Sequence, residues 1–160
     1  MPPILRHDEI LARLAALAPI AATEEVPLLE ARGRVLARDL VAREDLPPFD
    51  NSAMDGFALR SAATAGASAD RPLRLRVGPT VFAGAPLSEA ETAAAGAVRI
   101  MTGAPMPAGY DTVLRREDAE LESAAGAEWL VLRAPVPAGA HLRRRGEDTA
   151  RGARLVAAPR

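Results

Sequence analysis

The chain has 160 residues, 49% of them hydrophobic but only 3% aromatic, so a core for one domain or two small sub-domains must be filled by Leu, Val and Ala. The formal charge of −1, with Arg as every one of the 20 basic residues, argues against a general nucleic-acid or membrane-surface binder. With no Cys and only two His (His7, His141), disulfides, thiolate chemistry and a zinc centre are excluded.

The first predicted element is an amphipathic helix. Ile10, Leu11, Leu14 and Leu17 recur at i, i+1, i+4 and i+7, Asp8 stands ahead as N-cap, and Pro19 marks the exit. A short extended piece at Val26–Leu29 follows, then a helical turn from about Glu30 to Arg38, in which Gly33 reads as a close packing point. Beyond Leu46 the pattern turns to β. PLRLRV (Pro72–Val77) alternates apolar and Arg residues with the period 2 of a half-buried strand. VFAGAP, AVRIMTGAP, YDTVLRRED and EWLVLRAPVPAG read as further short strands ended by Gly or Pro, with SAATAGASADRP and ETAAAGA as loops between them.

The fold expected is α+β and strand-rich: an N-terminal helical segment plus a small bent-sheet or barrel-like β sub-domain. Composition shifts near Asp45 and near Ala138. The tail from His141 ends at Arg160 without a closing element, so the chain is expected to be the front part of something longer. No apolar run approaches the roughly 18–20 residues of a membrane span and no leader is visible, which makes the cytoplasm the expected location.

Three polar clusters could carry chemistry. In LPPFDNSAMDGFALR (Leu46–Arg60), Asp50, Asn51, Ser52 and Asp55 crowd into six residues framed by Phe49, Met54 and Phe57. Pro47-Pro48 stiffens the approach, and one such polar residue would suffice for a capped turn. In AVRIMTGAPMPAG, a strand over Val98–Met101 runs into Thr102-Gly103, where a hydroxyl and a flexible backbone could meet an oxyanion. No Walker lysine and no GxGxxG accompanies it. In HLRRRGEDTARG, Arg143, Arg144 and Arg145 would alternate in direction, so they cannot all serve one ligand. Taken alone, that cluster with Glu147 and Asp148 reads as solvated ion pairs.

In this order, DNSAMDG, RIMTGAPMPAGYDTV and RRRGED resemble the N-terminal region of the molybdopterin molybdenumtransferase family, called MoeA in bacteria and matched by the E domain of gephyrin in animals. The resemblance runs from about Ile10 to Arg160 and departs from one common form at Phe57, where Tyr is frequent. It implies insertion of molybdenum from molybdate into adenylated molybdopterin with release of AMP, assisted by Mg2+. It also implies a homodimer of four-domain chains, of which this is the first two. Residues 1–45 with 139–160 would form a dimer-contact domain and 46–138 a β-rich insert, and the molybdopterin adenylyltransferase would be a further partner. Carried over by motif, Asp55, Thr102 and Asp148 are the expected catalytic positions, and Asn51, Ser52 and Glu147 flank them as cofactor-binding positions; no metal ligand is assigned. The alternatives are a non-catalytic scaffold or dimerisation module, and a carboxylate-metal hydrolase built on Asp50, Asp55 and Asp148.

Overall fold

The computed structural model describes residues 5–17, 22–85 and 89–159; Pro19, the expected helix exit, and Arg160 lie outside them. The chain divides into two compact units, Met1–Asp39 with Ala157–Arg160, and Leu40–Val156. Residues 40–45 and 139–156 thus pack with the strand-rich unit, and the division falls six residues earlier and 18 later than the composition shifts near 45 and 138.

The smaller unit holds helix α1 (His7–Ala15). Its N-cap is Arg6 rather than Asp8, which lies in the first turn, and the Glu9 carboxylate accepts the Arg6 amide at 2.8 Å. The predicted apolar stripe is present, but Ile10, Leu11, Leu14 and Leu17 are all exposed. Of the piece expected to be extended, Val26–Leu29, the second half enters a 3-10 turn, Leu28–Glu30, and no helix runs on from it to Arg38. Gly33 accounts for the break. Its φ of +80° is left-handed, and no atom lies within 4 Å of a Cβ built there, so it is a turn residue and not a packing point.

In the larger unit the strands are β1 (Leu40–Val41), β2 (Asn51–Ser52), β3 (Gly56–Leu59), β4 (Leu73–Val81), β5 (Ala97–Ile100), β6 (Thr112–Arg115), β7 (Glu120–Ala124), β8 (Ala127–Leu132), β9 (Leu142–Arg143) and β10 (Arg154–Val156). Six of them form one open sheet in the order β6-β3-β5-β4-β8-β7, while β1 pairs with β10 and β2 with β9. Within the sheet only β4 and β5 run parallel. Strand β4 joins its two halves: Leu73–Arg76 pairs with β8 and Val77–Val81 with β5, the latter pairing shifting register between Val77 and Thr80. Val113 and Leu114 of β6 nevertheless line one hollow of about 400 Å³ together with Val131 and Leu132 of β8. Strands so far apart in order meet only because the sheet bends. The chain is α+β and strand-rich, as expected.

Strand β3 is buried on both faces, so its side chains enter two cores by simple alternation. Phe57 and Leu59 pack with Ala97, Leu130 and Leu132, whereas Ala58 packs with Val98, Ile100 and Val113. A fully buried ring such as Phe57 contributes about 1.5–3 kcal/mol.

Two short helices, α2 (Ser61–Thr64) and α3 (Glu89–Ala93), stand where loops were expected. Thr64 is fully buried; its hydroxyl donates to the Ser61 carbonyl at 2.7 Å and accepts the Val136 amide at 2.9 Å. That bond pins the segment to the core. Among the described residues no helix is long and apolar enough to cross a membrane.

Candidate functional site

The three polar segments converge on the stretch from Leu46 to Gly56. Its middle, β2, pairs Asn51 with Arg143 and Ser52 with Leu142 of β9. On the other side the Gly103 amide donates to the Ser52 carbonyl (2.8 Å), the Ser52 amide donates to the Ala104 carbonyl (3.1 Å), and Asn51 bridges to Pro105. One short strand therefore sits between the TGAP turn and the RRRGED arm.

Asp55 and Thr102 meet directly. Asp55 Oδ1 accepts both the Thr102 amide (2.8 Å) and the Thr102 hydroxyl (2.7 Å). The Thr102 amide, then its hydroxyl, hold the Asp55 carboxyl below the usual carboxylate value, and the charge of Arg116 adds to the effect. Asp55 is thus ionised, with Oδ2 making no hydrogen bond to any described residue. The turn is locked from behind, where the Arg116 amide donates to the Asp55 carbonyl at 2.9 Å.

That lock depends on Gly56. A Cβ there would lie 2.0 Å from the Leu114 carbonyl oxygen, so only glycine lets β3 and β6 approach this closely beside Asp55.

Asp148 is placed elsewhere. It ion-pairs with Arg143, and no hydrogen bond or ion pair joins it to Asp55 or Thr102 among the described residues. Glu147 accepts the Arg144 amide at 2.7 Å and closes the turn around Gly146. Ser52 has no exposed surface; its hydroxyl donates to the Met54 carbonyl at 2.5 Å, which shapes the loop and leaves no route to a ligand. Asn51 is also buried, with its amide nitrogen donating to the Phe49 carbonyl at 3.3 Å.

The apolar frame is only partly a frame. Phe57 is fully buried, but Leu46, Phe49 and Met54 are partly exposed along the rim. The Leu46–Pro47 peptide is cis.

Sequence reasoning missed how the RRRGED arm is attached. Arg144 Nη1 reaches Asp50 Oδ2 (3.0 Å), the Arg145 amide donates to Asp50 Oδ1 (2.8 Å), and Arg145 Nε reaches Asp45 Oδ2 (2.6 Å). The Arg151 amide donates to Asp45 Oδ1 at 2.7 Å. Both carboxyls are held below their ordinary values, Asp50 mainly by the Arg145 amide and Asp45 mainly by the Arg151 amide. Three consecutive arginines going to three different carboxylates agrees with their predicted alternation. Among the described residues no three His, Cys, Asp or Glu side chains converge as a metal site requires.

Arg116 was missed as well. A sign was available: VLRRED reads as a strand end, and the strand pairing with DGFALR brings that end beside Asp55.

Residues 5–160 match the family described as the MoeA N-terminal region, domains I and II. A molybdopterin molybdenumtransferase of Synechococcus elongatus is 50% identical over 150 residues, covering 92% of this chain and 35% of that protein. That of Bacillus subtilis is 37% identical over 149 residues, covering 93% of this chain and 34% of its own length. A solved structure, a molybdopterin biosynthesis MoeA protein from Pyrococcus horikoshii, superposes with a TM-score of 0.68 at 32% identity, covering 84% of this chain and 34% of that one. The chain spans about a third of the length of these relatives. The chain belongs to the MoeA N-terminal region family, by sequence over residues 5–160 and by fold over most of its length.

Proposed function

We propose that this chain is the N-terminal portion of a cytoplasmic molybdenum cofactor biosynthesis enzyme that inserts molybdenum from molybdate into adenylated molybdopterin with release of AMP. The observation that carries the reading is the Asp55–Thr102 pair, a carboxylate fixed through one oxygen and open through the other at the exposed end of a rigid sheet. A preorganised negative group of that kind stabilises positive charge without reorganising during the reaction. In this reading Asp55 acts at the reacting centre and Thr102 orients it. Asp148 and Glu147 shape the neighbouring arm, and Asn51 and Ser52 hold the loop.

Magnesium belongs to this reading as an ion of the whole protein. The described residues gather no metal-binding set of their own. The working unit is a homodimer that receives its adenylated substrate from the molybdopterin adenylyltransferase. The alternative, a scaffold or dimerisation module, draws on the exposed stripe Ile10, Leu11 and Leu14 of α1, continued by Leu17 just past its end.

The test is Asp55→Asn in the full-length protein, read by molybdenum insertion and by dimer mass together. Loss of activity of about 100-fold or more in an intact dimer is the expected result, the scale of removing one preorganised electrostatic group. Near-normal insertion in that dimer would reduce DNSAMDG to a capped turn and favour the scaffold.

A further inference from the structure

The rim around Asp55 offers acceptors and very few donors. The amides of Ala53, Met54, Thr102, Gly103 and Ala104 are spent on His141, Ser52, Asp55, Ser52 and Met101 respectively. The hydroxyls of Ser52 and Thr102 donate within the chain too. The Thr102-Gly103 turn therefore supplies no backbone cradle for an oxyanion, contrary to what its sequence suggested. An anionic group arriving here would be repelled by the ionised Asp55 and would need a nearby side-chain cation to offset that repulsion.

The neighbouring cations are mostly committed. Arg143, Arg144 and Arg145 pair with Asp148, Asp50 and Asp45. Arg115 is held by both oxygens of Asp118, at 2.7 and 3.1 Å. Arg116 is different. Its amide is fixed to the Asp55 carbonyl at 2.9 Å, its side chain is exposed, and its guanidinium makes no ion pair or hydrogen bond to any described residue.

We propose that Arg116 is an oxyanion-binding residue of the Asp55 rim, whose guanidinium takes a tetrahedral oxyanion brought up to Asp55. The fork geometry of Arg suits two oxygens of such a group at once. Within the function proposed above, on which this inference rests, the oxyanion is either molybdate itself or the phosphate of the adenylated substrate. Arg116 would then fix the approaching group while Asp55 faces the positive centre of the reaction. The residue is absent from the motifs that carry the family resemblance, so it would tune affinity at this rim and not the reaction class.

The experiment compares wild type, Arg116→Gln, Arg116→Lys and Arg115→Gln in the full-length protein. Each is titrated at equilibrium with molybdate alone and, separately, with AMP alone, at low and at near-physiological salt. Arg116→Gln should weaken one of the two by about tenfold, the scale of one charge-assisted hydrogen bond, and flatten its salt dependence. The ligand affected names the source of the oxyanion. Arg116→Lys should recover part of the loss, because it keeps the charge but not the fork. Arg115→Gln, with the same change in net charge, should bind both ligands as wild type does. Unchanged binding of both ligands by Arg116→Gln would overturn the proposal, as would an equal loss in Arg115→Gln. Wild type that binds neither ligand would remove the functional reading and Arg116's role with it, whereas wild type that binds and turns over beside an unaffected Arg116→Gln would remove only the latter.

Discussion

At Gly56 a single hydrogen in place of a methyl group decides how the candidate site is held. The backbone at this point pairs with Ile100 on one side and Arg115 on the other, and a Cβ would be driven into the Leu114 carbonyl. Gly56→Ala should therefore cost about 1–3 kcal/mol, the usual range for overpacking, as β6 is pushed from β3. The same shift would lengthen the bond from the Arg116 amide to the Asp55 carbonyl, so amide exchange at Arg116 should accelerate. Gly66 is the matched control: nothing lies within 4 Å of a Cβ there. Gly66→Ala should be neutral or mildly stabilising, by up to about 1 kcal/mol through the unfolded chain. Equal denaturation midpoints for the two variants would show that β6 can yield freely, and the rigid presentation of Asp55 would lose its basis.

Among the elements, the hairpin β7–β8 shows a local choice that natural selection has left short of optimal. Its loop is Ala125-Gly126, with φ of +53° and +74°, and Ala124 faces Ala127 across it. Positive φ at both central residues is the type I′ turn, which prefers Asn-Gly because Ala pays for its Cβ in the left-handed region. Ala125→Asn should thus stabilise the chain by about 0.5–1 kcal/mol, seen as a higher unfolding midpoint with an unchanged denaturant slope. A lower midpoint would mean that the turn type is misassigned. The same hairpin explains why β7 escaped detection in the sequence. ELESA is exposed at every position, so it carries no alternation to read, and Ala-Gly is a weaker turn signal than Asn-Gly. Helices α2 and α3 were hidden for a related reason, being four and five residues long and too short to show a 3.6-residue period. The longer patterns, α1 and β4, were legible because each runs for nine residues.

Across the larger unit, what the sequence made legible was the existence of the polar clusters, because each is local. What it concealed was their partnership. Asp50 finds Arg145 across 95 residues and Asp45 finds Arg151 across 106, and no local pattern encodes pairings of that range. These long-range contacts make the assembly of the site sensitive to acid. Asp45, Asp50, Asp55 and Asp111 are all held below their ordinary values, Asp111 chiefly by the Ser61 hydroxyl and then the Ser61 amide. A carboxylate whose folded value is depressed contributes stability that is fully present above its unfolded value, near 4, and is lost as pH falls through the folded one. Unfolding midpoints measured from pH 7 down should stay level to about pH 5 and then decline. Asp50→Asn should make that decline shallower by up to one linked proton. The order of loss is predictable too. The Asp45 and Asp50 contacts lie at the surface, whereas Val98 and Leu130 are fully buried. Hydrogen exchange at mildly acidic pH should therefore lose protection at the Arg145 and Arg151 amides before the amides of β5 and β8. Simultaneous loss at all four places would mean that the RRRGED arm is as firmly part of the core as the sheet, and that the three polar segments cannot separate without global unfolding.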